Sequence, residues 1–158
     1  MEQVLKESEE HYRLLAENSL DAIWTIDMNL KYTFISPAII KIVTGYTLED
    51  LTQMTIQELL TPASFSIAVK LVEEELALEG TSGIDPYRSR TAELELRNKD
   101  GSTVWTEIKA SFIRDIEGNV IGVQGATRDI TERRKTQEAL RETNEKLRVI
   151  FDSMGEAV

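Results

Sequence analysis

Apolar and polar positions alternate most cleanly in the second half of the chain. Over residues 90–98, and again over 103–114, the period is two, the mark of strands with one buried face. Lys99-Asp100-Gly101 lies between these runs with turn chemistry, so the pair predicts a hairpin. A second turn over 115–119 leads to a strand over 120–128. In the first half, 21–27 predicts a strand, Met28-Asn29 a turn and 30–36 a second strand. Between the two strand groups the pattern becomes helical. Ser36-Pro37 opens a short helix over 38–44 that Gly45 ends, because proline suits a first helical position and glycine the residue after a helix. Thr47-Leu48-Glu49-Asp50 has the spacing of a capping box. Thr61-Pro62 starts a longer helix through about Leu78, closed by Gly80. Residues 2–18 predict a leading helix with Leu5, Tyr12 and Leu15 near one stripe.

The resulting order is helix, two strands, short helices, three strands, helix. Strands separated by a helical block and joined by hairpins imply an α+β class, with helices packed on one face of an antiparallel sheet. At 158 residues the chain is long enough for one ordinary domain with a sizeable core. A net charge of −10 argues against nucleic acid and against direct contact with an anionic membrane surface, both of which want a basic face. No apolar run approaches the roughly 18–20 residues of a membrane span. With no cysteine there are no disulfides, thiolate metal sites or cysteine nucleophiles, a composition that fits a cytoplasmic setting. No catalytic constellation appears: there is no Gly-x-Ser-x-Gly elbow, phosphate-cradling loop or metal-spaced cluster. Glu73-Glu74-Glu75 are consecutive and fan around a helix, which reads as a solvated face. The single histidine, His11, reads as a surface residue of the leading helix.

The last strand runs almost without a loop into a charged helix. Asp129-Ile130-Thr131-Glu132 fits a helix start, with a capping side chain and an acid three residues on. Along that helix Thr136, Leu140, Thr143, Leu147, Ile150 and Met154 recur at steps of four and three, a heptad seam with polar interruptions. There is also an internal echo: residues 147–158 align without gaps on 12–23, with Arg148 on Arg13 and Ala157 on Ala22. The chain thus divides into a leading linker helix (1–19), a core (20–130), a linker helix (131–146) and the start of a second similar unit (147–158).

Taken in order, these residues resemble the PAS sensory domains. Tyr12-Arg-Leu-Leu-Ala-Glu-Asn-Ser19 is similar to the family's leading helix, and Asp21-Ala-Ile-Trp-Thr-Ile-Asp27 with Tyr32-Thr-Phe-Ile-Ser-Pro37 to its first hairpin. Thr44-Gly-Tyr46 with Leu51, Lys99-Asp-Gly-Ser102 followed by Trp105, and Asp129-Ile-Thr131 followed by Glu132-Arg-Arg134 resemble its later elements. The resemblance implies a five-stranded antiparallel sheet in the order 2-1-5-4-3, short helices enclosing a pocket, and Asp129, Ile130 and Thr131 as the junction that passes conformational change outward. It also implies dimerisation, for which Leu5, Tyr12, Leu15, Leu140, Leu147 and Ile150 are candidates. Further PAS-like and effector domains in the same chain would follow, such as a two-component histidine kinase or a diguanylate cyclase, with membrane anchoring elsewhere left open.

On the strand over 103–114, the face carrying Thr106, Ile108 and Phe112 is the better candidate for the enclosed side. Opposite it stand Ile39, Ile42 and Val43, with Phe65, Val69 and Val72 from the long helix. Thr106 and Gln124 are the candidate polar groups. These residues equally suit a filled core. A family haem would need a histidine on the long helix, and residues 62–79 have none. Cysteine-adduct flavin chemistry has no cysteine to use. A small organic ligand stays open. The expectation is therefore a non-catalytic sensory module that binds a ligand or relays a signal through dimerisation, or alternatively a ligand-free protein–protein interaction and dimerisation relay.

Overall fold

The computed structural model describes residues 21–156. A first hairpin, β1 (Ala22–Asp27) and β2 (Tyr32–Ile35), is followed by four helices: α1 (Ile39–Ile42), α2 (Leu48–Gln53), α3 (Ile56–Leu59) and α4 (Pro62–Ala77). Three long strands, β3 (Ser89–Arg97), β4 (Thr103–Arg114) and β5 (Val120–Asp129), lead into α5 (Thr131–Glu156). All neighbouring strands are antiparallel, in the order β2-β1-β5-β4-β3. This is the α+β sheet expected from the sequence. The leading helix, and with it Leu5, Tyr12 and Leu15, lies outside the described residues. α5 runs through position 147 without a break.

Local chemistry explains most boundaries. Thr47, Thr55 and Thr61 each accept the backbone N–H three residues on, so α2, α3 and α4 all begin at a threonine cap. Thr47 and Asp50 complete the capping box reciprocally. The short helix is shorter than the sequence suggests and ends at Ile42. Val43 turns to extended backbone, and the Thr44 N–H is taken by the Asn98 carboxamide at 2.9 Å, which draws the chain toward the β3–β4 turn.

Alternation along β1 sends Ala22, Trp24 and Ile26 into the core. They meet Leu94 and Leu96 of β3, Val123 of β5, and Ile39, Ile42, Val43, Leu51 and Leu59 from the helices. Trp24 stands opposite Gly125 in the β1–β5 register. A Cβ added to Gly125 would lie 2.6 Å from the indole and 2.7 Å from the Lys109 carbonyl. The indole N–H donates to the Thr127 hydroxyl at 2.8 Å, and its ring meets Tyr32 edge-on at 6.4 Å.

The end of α4 is tied to the sheet by ions. Glu75 is buried, not part of a solvated acidic face: its carboxylate accepts from Arg88 Nε and, at 2.9 Å, from Arg90 Nη1. Arg114 of β4 reaches Glu79 with two N–H groups at 2.7 and 2.9 Å. The Arg90 hydrogen bond, with Arg88 beside it, holds the Glu75 carboxyl below its usual range against the opposing effect of burial.

Two outcomes follow from this packing. Gly125→Ala should destabilise the fold by roughly 1–3 kcal/mol through overpacking against the indole and the Lys109 carbonyl, read as a lower urea midpoint; an unchanged midpoint would mean both neighbours give way. Glu75→Gln should lower Tm at neutral pH by a few °C, the shift of about 1 kcal/mol. Because the folded pKa of Glu75 is depressed, its contribution is complete above the unfolded value near 4.5 and is lost as pH falls through the folded value. Melts from pH 7 to pH 3 should therefore show the gap between wild type and Glu75→Gln closing on the acid side.

Candidate functional site: an apolar cavity and the strand–helix junction

Between the inner sheet face and α4 lies a cavity of 310 Å³. Its floor is Trp24 and Ile26 of β1, Ile108, Ala110 and Phe112 of β4, and Val123 and Thr127 of β5. Phe65, Ala68, Val69 and Val72 of α4 form the roof at helical spacing, one face of the helix being turned to the sheet. Met28, Val69, Glu73 and Arg90 are exposed lining residues and mark where the cavity meets solvent. Tyr32 lines it as well; burial pushes its phenol pKa well above the ordinary value.

Of the pocket candidates, Ile39, Phe65, Val69, Val72, Ile108 and Phe112 come together on this lining. Ile42 and Val43 are buried core residues away from it. Neither proposed polar group contributes. Thr106 is fully buried and spends its hydroxyl on the Leu94 carbonyl at 2.7 Å, which satisfies it within the sheet. Gln124 is exposed on the opposite face, where its amide donates to the Ser111 hydroxyl at 3.4 Å; Val123 and Thr127 are the β5 residues that face inward. Among the lining residues the sequence did not single out are Trp24, Ile26, Tyr32, Val123 and Thr127, although alternation in β1 places the first two on one face.

At the other end of β5 the strand passes to α5 through one residue. The Asp129 carboxylate accepts from the Thr131 N–H at 2.8 Å and from the Thr131 hydroxyl at 2.5 Å. The cap therefore closes on the residue two positions on, as an Asx turn, and not on Glu132 as a capping box would. Ile130 is buried, and its N–H donates to the Trp105 carbonyl of β4 at 3.1 Å. The first turn of α5 then lies against the sheet face away from the cavity. Arg134 sits over the Trp105 ring at 4.1 Å. Arg133 bonds Glu93 at 3.2 Å and Glu107 at 3.1 Å. Arg128 of β5 pairs with Asp21 through two N–H groups, both at 3.0 Å. Beyond this turn α5 leaves the core, and Leu140, Leu147 and Ile150 are exposed. Among the described residues no helix is long and apolar enough to cross a membrane, and no three His, Asp or Glu side chains are placed to hold a metal.

A family model for the PAS domain matches residues 20–132. The chain is 30% identical over 154 residues to the sensor histidine kinase TmoS of Ectopseudomonas mendocina. It is 23% identical over 151 residues to the probable diguanylate cyclase DgcE of Escherichia coli. Each alignment takes in 96% of this chain, which spans only 15% and 13% of those two proteins. The crystal structure of a PAS domain from Colwellia psychrerythraea superposes with a TM-score of 0.64 at 22% identity, covering 82% of this chain and 98% of that one. At that identity the likeness is one of fold, and the strand order agrees with it. With the family model covering most of its length, the chain belongs to the PAS domain family.

Proposed function

We propose that this segment is a non-catalytic sensory module that takes a small organic ligand into the cavity and passes the resulting change through Asp129, Ile130 and Thr131 to α5. The observation that carries this reading is that the same two strands serve both ends. β4 and β5 floor the cavity with Ile108, Phe112, Val123 and Thr127, and they also hold the start of α5 through Trp105, Glu107 and Asp129. A ligand that favours one sheet arrangement by only ~1–3 kcal/mol would be enough to bias the helix.

Downstream, α5 would act on a further PAS-like domain beginning near residue 147 and, beyond it, on an effector. The two curated relatives make a histidine kinase or a diguanylate cyclase the kinds to expect. The acidic, cysteine-free composition suits a cytoplasmic location. The half-exposed Leu147 and Ile150 and the exposed Leu140 form a seam on which two copies would pair, the polar Thr136 and Thr143 keeping it weak enough to shift.

Mass spectrometry of the purified chain, native and then denatured, tests the ligand: a stoichiometric small molecule released on denaturation supports the sensor, and a bare chain favours a relay that works through dimer geometry alone. Asp129→Ala should leave the fold in place while abolishing the signal response of the full-length protein; an unchanged response would refute the junction role. Leu147→Asp should shift sedimentation toward monomer, since a charge in the seam is costly to bury, and an unaltered profile would remove the seam from the interface.

A further inference from the structure

The cavity wall has a narrow chemical range. Its interior surface is aliphatic and aromatic, and the charged groups at its edge are engaged or solvated. Glu75 is bound by Arg88 and Arg90, whose charges are further balanced by Glu79 and Glu74. Asp27 accepts the N–H groups of Asn29 and Lys31 in its own turn. Glu73 is exposed, and its charge repels an approaching anion. The lining hydroxyls are mostly spent too. Thr127 receives the Trp24 indole, and the Ser111 hydroxyl lies on the outer face of β4, where it receives Gln124. Tyr32 differs: it lines the cavity, its ring is fixed edge-on to Trp24, and its hydroxyl has no hydrogen-bond partner among the described residues.

We propose that the cavity selects an uncharged molecule with an apolar body and one hydrogen-bond acceptor, which receives the Tyr32 hydroxyl. This rests on the sensory reading above and narrows its ligand class. The size is consistent, since a cavity of roughly 150 Å³ admits benzene and 310 Å³ leaves room for a substituted ring. Charge is selected against because an ionised group entering this lining loses water and finds no free counter-ion. The raised pKa of the Tyr32 phenol has the same origin, and it keeps the hydroxyl a neutral donor across the physiological range.

Three probes of one shape separate the possibilities when titrated calorimetrically into the full chain: acetophenone, its hydrocarbon isostere α-methylstyrene, and benzoate. Both neutral probes should bind, and benzoate should not. In Tyr32→Phe, which keeps the ring and its contact with Trp24, α-methylstyrene should bind as before. Acetophenone should weaken relative to it by roughly threefold to tenfold, the worth of one neutral hydrogen bond. Benzoate binding as tightly as acetophenone would overturn the charge selection. An unchanged acetophenone-to-hydrocarbon ratio in Tyr32→Phe would overturn the role of Tyr32 while leaving a ligand-binding cavity. If neither neutral probe bound either protein, the proposal would fail together with the ligand half of the sensory reading, and the relay half would stand or fall with Asp129→Ala.

Discussion

The indole of Trp24 occupies the space beside Gly125 of β5 that any side chain there would need, and much of the structure depends on that contact. The register puts Trp24 beside Gly125, and the indole N–H reaches Thr127 two residues along the same strand. A large ring packed close to the strand backbone and bonded through its N–H has little room to turn into the space beside it. It forms one wall of the cavity and gives Tyr32 a surface to stand against. β1 and β5 are also central in the sheet, so the contact sets the spacing on which the flanking strands build.

The two faces of β4 and β5 do different work, and the period of two keeps them in register. Inward residues meet the roof helix and whatever the cavity holds; outward residues hold the start of α5. The magnitudes favour a movable helix. Exposed ion pairs such as those between Arg133 and the strand carboxylates contribute at most about 1 kcal/mol each, and an exposed cation–π contact about 0.5–1 kcal/mol. Their sum is comparable to the differential binding free energy a small ligand supplies. A helix welded to the sheet by a large apolar interface would not respond to so small an input. Asp21 pairs with Arg128, and Arg128 stands opposite Glu107 in the β4–β5 register. Glu107 in turn holds Arg133, so the point where the chain enters the core lies on the same charged surface as the point where it leaves.

The sheet was largely legible because its strands carry their burial in their alternation, and the turns between β3, β4 and β5 carry Gly101 and Gly118 where the backbone has positive φ. Helix starts were legible through Thr47 and Thr61. The site was less so. On β4 the alternation identified the inward face, but nothing local says that Thr106 lies deep enough to be claimed by Leu94 while Ile108 and Phe112 border open space. On β5 the glycines at 122 and 125 carry no hydropathy signal, which left the facing of Gln124 undetermined; its neighbour Val123 takes the inward position. Glu75 looks like Glu73 and Glu74 until β3 folds back and brings Arg88 and Arg90 against it. In each case the missing information was the identity of a cross-strand or cross-element partner, which no local window contains.

The energetics of the cavity bear on why its wall is so apolar. The cavity leaves apolar lining open to water, and covering such surface is worth roughly 25 cal/mol per Å². Water is a poor filler for the interior, because each molecule needs two or more polar partners and the wall offers chiefly one hydroxyl. An apolar guest would cover that surface without breaking the ions that close the end of α4, since Glu75, Arg88 and Arg90 are already satisfied by one another. The same pairing leaves no free counter-ion for a charged guest, so in the proposed sensor filling of the apolar volume would be the event the sheet senses. Because β4 and β5 border that volume on one side and hold α5 on the other, filling it would act directly on the strands that position the helix.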